Sequence, residues 1–137
     1  MVLTLLAAAH LILSDAEWRQ FLGFDRYRVM RRKATERPYS GAYTQTSGPG
    51  TYLCAACHTA LFHSDAKYQA GNGWPAFTAP IESQRLTYKE DYSLPFPRIE
   101  VLCSGCEGHL GHYFLDGPPT AGTRYTINSL ALEFIPQ

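Results

Sequence analysis

Four cysteines stand in two Cys-x-x-Cys pairs, Cys54-Ala55-Ala56-Cys57 and Cys103-Ser104-Gly105-Cys106, and none is left over. Two residues between cysteines let one tight turn aim both sulfurs at a common centre, so two such knuckles complete a tetrahedron. Zinc suits four thiolates, because it has no redox chemistry and takes tetrahedral sulfur without strain. A closed four-cysteine shell is structural; it leaves no open position for catalysis. The same spacing also allows two disulfides in an exported chain, an iron centre of the same geometry or, more weakly, a thioredoxin-like dithiol. His58 and His63 lie close by in sequence, but four sulfurs already fill the shell, so both read as surface or outer residues.

The stretch between the pairs is longer than in common zinc ribbons, so the staple must join strands distant in sequence. After Pro38, Gly and Pro recur every few residues and the apolar runs shorten and alternate. Ile99 and Val101 oppose Arg98 and Glu100; Leu130, Leu132 and Phe134 oppose Ala131 and Glu133. Period-two patterning with regular turn signals predicts a mainly β fold, an antiparallel sheet or small barrel. Ahead of it, Ser14-Asp15-Ala16-Glu17 is a capping box that opens a short helix. Trp18, Phe21 and Leu22 follow at helical spacing, and Gly23 stops it. A second short helix runs from about Phe24 to Lys33, with Phe24, Tyr27 and Met30 on one face. Arg31, Arg32 and Lys33 sit where the helix dipole favours cations and read as a solvated helix end.

The 137 residues, 45% of them apolar and 13% aromatic, fit one globular domain with a real core. Twelve basic and twelve acidic residues cancel. Such a balance gives no reason to expect nucleic acid or an anionic membrane as partner. Residues 1–13 are apolar but too short to span a bilayer. They have the small-residue run of a signal segment without its charged start, so packing onto the domain is the expectation and processing the alternative. Residues 14–137 then form the single domain. The cytoplasm is the expected compartment, with export or an organelle the alternative should residues 1–13 be a targeting segment.

Four ordered motifs go further. Thr35-Glu36-Arg37-Pro38-Tyr39-Ser40-Gly41, Gly73-Trp74-Pro75-Ala76-Phe77, His109-Leu110-Gly111-His112-Tyr113-Phe114 and Arg124-Tyr125-Thr126-Ile127-Asn128-Ser129 closely resemble the methionine sulfoxide reductase type B family. The match runs from about Leu13 to Pro136 with both knuckles in place. It implies a twisted antiparallel β structure with short N-terminal helices and a structural zinc site made of four cysteines. The implied reaction is reduction of the R epimer of methionine sulfoxide, in proteins or as the free amino acid. A cysteine thiolate attacks the sulfoxide sulfur, methionine leaves, and a second thiol or a thioredoxin-type reductant clears the resulting sulfenic acid.

Both redox positions lack sulfur here. The family's nucleophile position is Thr126, and the resolving position of some members is Asn72. A threonine hydroxyl is barely ionised at neutral pH and cannot climb the sulfenic ladder. The other site residues implied by the resemblance are present. His112 and Asn128 would orient and protonate the sulfoxide oxygen with help from His109, and Trp74 would pack on the substrate methyl group. Glu36 would hold a proton or an internal water, and Arg124 would share the strand face of Thr126 and Asn128. Taken alone, Trp74 reads as core, Asn128 as a turn cap, and Arg124 as a partner of Asp116 or Glu100. The expectation is a family domain whose activity is impaired or absent. The alternatives are a binding module for oxidised methionine or another small polar ligand, and a structural zinc domain.

Overall fold

Ser14 opens the first helix as the sequence requires: its hydroxyl accepts from Glu17 N while the Glu17 carboxylate accepts from Ser14 N. A computed structural model describes residues 13–137, so the expectation for the apolar N-terminal segment falls almost wholly outside the described residues. Helix α1 (Asp15–Leu22) ends at Gly23, whose φ of 81° suits a residue without Cβ, and α2 (Phe24–Arg32) follows at once. Tyr27 and Met30 turn into the core, but Phe24 stays in solvent with the Arg28 guanidinium over its ring, and Val29 takes the inward place. The basic end of α2 is not simply solvated either. Arg31 lies 4.3 Å over the Trp18 ring and donates to Cys106 O at 2.9 Å, and Lys33 pairs with Glu100 at 3.0 Å.

The remainder is two antiparallel sheets. One carries β1 (Gly50–Cys54) between β2 (Ala60–His63) and β9 (Leu132–Pro136). The other runs in the order β3 (Lys67–Tyr68), β4 (Ala76–Phe77), β8 (Arg124–Ile127), β7 (His109–Phe114), β6 (Arg98–Cys103), β5 (Leu86–Asp91). Tyr52 and Phe62 from the first sheet meet Phe77 from the second, with ring centroids 5.1 and 4.3 Å apart, and Tyr125 closes the cluster at 5.9 Å from Phe62. Fully buried aromatics of this size dominate core energetics, and here they glue sheet to sheet. Among the described residues, no helix is long and apolar enough to cross a membrane.

Two alternations depart from the expected pattern. Glu100 is buried rather than outward, and Ile99 is the more exposed of the pair. Both faces of β6 are covered at this level, and Glu100 has two partners waiting, Lys33 and His109. Further on, Leu130 and Ala131 belong to a 3₁₀ turn (Ser129–Ala131), so strand alternation begins only at Leu132 and it is Ala131 that is buried.

Candidate functional site

The two knuckles are the same turn built twice. Cys54 closes β1 and Cys103 closes β6. In the first knuckle His58 N donates back to Cys54 O at 2.9 Å; in the second, Glu107 N donates to Cys103 O at 2.7 Å. His58 and Glu107 both take φ near 60°, the left-handed conformation that turns the chain back after the second cysteine. A Cβ on Gly105 would sit 2.9 Å from Thr59 Oγ1 and 3.1 Å from Cys57 Sγ, so glycine lets the second knuckle approach the first without displacing either. All four sulfurs are buried and lie within 4.8 Å of one another. The Cys54–Cys106 and Cys57–Cys103 separations are 3.7 and 3.5 Å. Four thiolates about 2.3 Å from one tetrahedral metal stand about 3.8 Å apart. The cluster therefore fits a metal, and its sulfurs are too far apart for disulfides. His58 and His63 lie outside it, half-exposed, His58 3.4 Å from Glu133 and His63 accepting from Asp65 N.

On the far side of the second sheet a cleft of about 130 Å³ opens over β7 and β8. Strand β8 alternates: Tyr125 and Ile127 go to the core, while Arg124 and Thr126 line the cleft. Arg124 is held in place by three hydrogen bonds and a ring contact. It donates to Thr126 Oγ1 at 2.7 Å, grips Asp116 at 2.8 and 3.1 Å, and lies 4.2 Å over the Phe114 ring. The pairing holds the Asp116 carboxyl below its usual range. Asn128 follows the strand and is held from both ends, donating to Leu110 O and accepting from Glu36 N, each at 3.0 Å. Trp74 lines the opposite wall with its indole N–H on Glu36 O at 3.0 Å, and Asn72 beside it accepts from Trp74 N.

His112 also lines the cleft, and its Nε2 lies 2.7 Å from Asp91 Oδ2. Burial pushes the imidazole below its ordinary pKa, against the opposing pull of Asp91. The hydrogen bonds from His112 and Ser93 hold Asp91 far below the ordinary carboxylate range. His109 does not line this cleft. Its Nδ1 lies 2.7 Å from Glu100, its buried Nε2 has no partner among the described residues, and it borders a separate cavity with Lys33 and Lys89. The two imidazoles are still neighbours, with centroids 5.6 Å apart. Glu36 sits behind the wall, its Oε1 on Leu130 N and its Oε2 buried without a partner among the described residues.

Thr126, His112, Asn128, Trp74 and Arg124 thus share one cavity, while Glu36 and His109 support it from behind. Sequence reasoning missed Asp91 and Arg98. Arg98 lines the cleft and bonds Asp91 at 3.2 Å. No spacing rule joins Asp91 to His112; the register of β5, β6 and β7 does.

A family profile described as SelR domain matches residues 22–136. The peptide methionine sulfoxide reductase MsrB of Azotobacter vinelandii is 52% identical over 120 residues, covering 88% of this chain and 90% of that protein. The MsrB of Hahella chejuensis is 49% identical over 121 residues, covering 88% and 87%. That of Methanosarcina barkeri is 50% identical over 121 residues, covering 88% and 85%.

Proposed function

The chain belongs to the peptide methionine sulfoxide reductase MsrB family, and on that premise we propose that it keeps a methionine sulfoxide cleft in which the family's reduction is impaired or absent. One observation carries the reading. Thr126, at the position where the resemblance puts the nucleophile, has its hydroxyl held by Arg124, and all four cysteines of the chain are in the metal cluster. In the thiol-dependent step, a thiolate attacks the sulfoxide sulfur, the sulfoxide oxygen takes up a proton and passes to the enzyme sulfur, and methionine departs. The enzyme sulfur ends as a sulfenic acid, oxidised by the two electrons that methionine gains. Threonine oxygen offers no such two-electron change. Thioredoxin-type recycling matters only if a thiol is restored.

The ligand of this reading is methionine-R-sulfoxide, in a protein or free. Its methyl group packs on Trp74, a contact worth about 0.3–1.5 kcal/mol, and its oxygen faces His112 and Asn128. Zinc is the metal we assign to Cys54, Cys57, Cys103 and Cys106, where it supplies a crosslink and takes no part in the cleft's chemistry. The engaged Thr126 hydroxyl favours a second reading as well: a module that binds oxidised methionine without reducing it.

With dithiothreitol as reductant, activity on methionine-R-sulfoxide is expected at least about a thousandfold below that of a cysteine-bearing relative, as for loss of a nucleophile. Thr126→Cys, given no reductant, is expected to release one equivalent of methionine per chain, with R specificity, and to stop at the sulfenic acid. Turnover at family rates by the unaltered chain overturns the first part. A folded, metal-bound Thr126→Cys variant that releases no methionine overturns the cleft assignment.

A further inference from the structure

Among the described residues His112 is the one imidazole lining the cleft, and one of its nitrogens is already spoken for. Asp91 is the last residue of β5 and stands opposite Arg98, the first of β6, across the mouth of a hairpin. Its Oδ1 accepts from Ser93 N at 2.9 Å and its Oδ2 faces both Arg98 Nη2 at 3.2 Å and His112 Nε2 at 2.7 Å. The carboxylate is 6% exposed, so water is a poor substitute for any of these partners. Ser93 N–H and the Arg98 guanidinium can only donate, and these bonds favour the ionised form of Asp91, whose carboxyl is held far below its ordinary range; an ionised carboxylate only accepts. The proton of the His112–Asp91 hydrogen bond therefore resides on Nε2. Nδ1 has no hydrogen-bond partner among the described residues and is not a buried orphan, so it is the nitrogen left for a ligand.

We propose that Asp91 is a positioning residue for the cleft, fixing the neutral His112 as the Nε2–H form, so that His112 presents a proton to the ligand from Nδ1 only as the imidazolium. The consequence follows from the inventory of a histidine ring. Neutral His112 offers Nδ1 as a bare lone pair, which repels a sulfoxide oxygen; protonated, it offers a donor aimed at that oxygen. Asp91 favours the second state twice over, by its charge and by the hydrogen bond. The groups that bear on the ring are Asp91 on β5, Arg98 and Glu100 on β6, His109 on its own strand and Arg124 on β8, with Lys33 of the helix end neutralising Glu100. Asp91 is the only one of these hydrogen-bonded to the ring among the described residues.

The proposal rests on the sulfoxide reading for the ligand's identity, but its test needs neither ligand nor turnover. Long-range ¹H–¹⁵N correlation spectra of the labelled protein read the tautomer and the titration midpoint of each of its five histidines. Neutral His112 is expected as Nε2–H in the unaltered protein. Asp91→Asn, which can still accept the bond but carries no charge, is expected to lower the His112 midpoint by at least about one pH unit. Asp91→Ala is expected to lower it as well and to let both tautomers populate. An Nδ1–H form in the unaltered protein overturns the proposal without any variant. So does an unmoved midpoint in an Asp91→Asn protein that keeps its amide spectrum. A Thr126→Cys variant that fails to release methionine leaves this result standing, and the two readings fail separately.

Discussion

Glu36 bonds through three different groups, and each holds another part of the cleft. Its N–H fixes Asn128, its carbonyl fixes the Trp74 indole, and its carboxylate caps Leu130 N at 3.0 Å. Only the last is lost on mutation. Glu36→Ala leaves a backbone donor without its partner and is expected to destabilise by about 1–3 kcal/mol, whereas Glu36→Gln keeps an acceptor and is expected to lose less. Urea unfolding of the two variants checks the order, and equal losses would show that the carboxylate's charge, not its acceptor, is what matters. At this scale the sequence is informative where motifs are contiguous. Trp74, Thr126 and Asn128 are recognisable because their neighbours travel with them. Asp91, Arg98 and Glu100 are missed or misread because what gives them meaning is a partner on another strand or helix. A buried Glu100 is unreadable from alternation alone; it is buried because Lys33 and His109 are there to meet it.

Strands β7 and β8 carry the cleft, and their close approach depends on one residue. A Cβ at Gly111 would lie 1.9 Å from Thr126 O, inside the backbone of the facing strand. No side-chain rotation relieves that contact, because the obstacle is a carbonyl. Gly111→Ala is therefore expected to cost about 3 kcal/mol or more, at or beyond the usual range for overpacking. The distortion falls on Thr126 and His112, which are paired across these strands. A variant that unfolds within about 1 kcal/mol of the parent would mean the strands can part here, and the cleft floor is softer than its packing suggests. The element order is largely legible: the capping box, the glycine stop and the turn-rich β region are all local signals. Strand ends are not. The 3₁₀ turn at Ser129–Ala131 replaces an expected alternation: it opens directly after the extended Asn128, where Ala131 N donates to Asn128 O at 3.0 Å, a local bond that period-two patterning does not announce. The face of α2 is half legible, since amphipathic spacing cannot tell whether Phe24 or Val29 meets the core.

Taken as one molecule, the described residues hold the two sheets together through a shared apolar core, centred on the aromatic contact of Tyr52 and Phe62 with Phe77, and through the cysteine cluster. They act at different places. The cluster joins the end of β1 in the small sheet to the end of β6 in the large one, and α2 is fastened to the same spot through Arg31 and Cys106 O. Helix, small sheet and large sheet therefore converge on a single metal-sized volume. Without a metal, four buried sulfurs this close must either share protons or move apart, and each choice loosens all three elements at once. Structural zinc sites supply on the order of 10 kcal/mol of binding energy that folding inherits, comparable to the whole stability of an ordinary domain, about 5–15 kcal/mol. Chelation is thus expected to unfold the protein cooperatively, removing the β signal in circular dichroism together with the α2 signal, and elemental analysis is expected to return about one zinc per chain. Iron in that analysis, or intact disulfides in the metal-free protein, would overturn zinc as the metal. A metal-free chain that keeps its melting temperature would show that the apolar core suffices to hold the sheets without the metal.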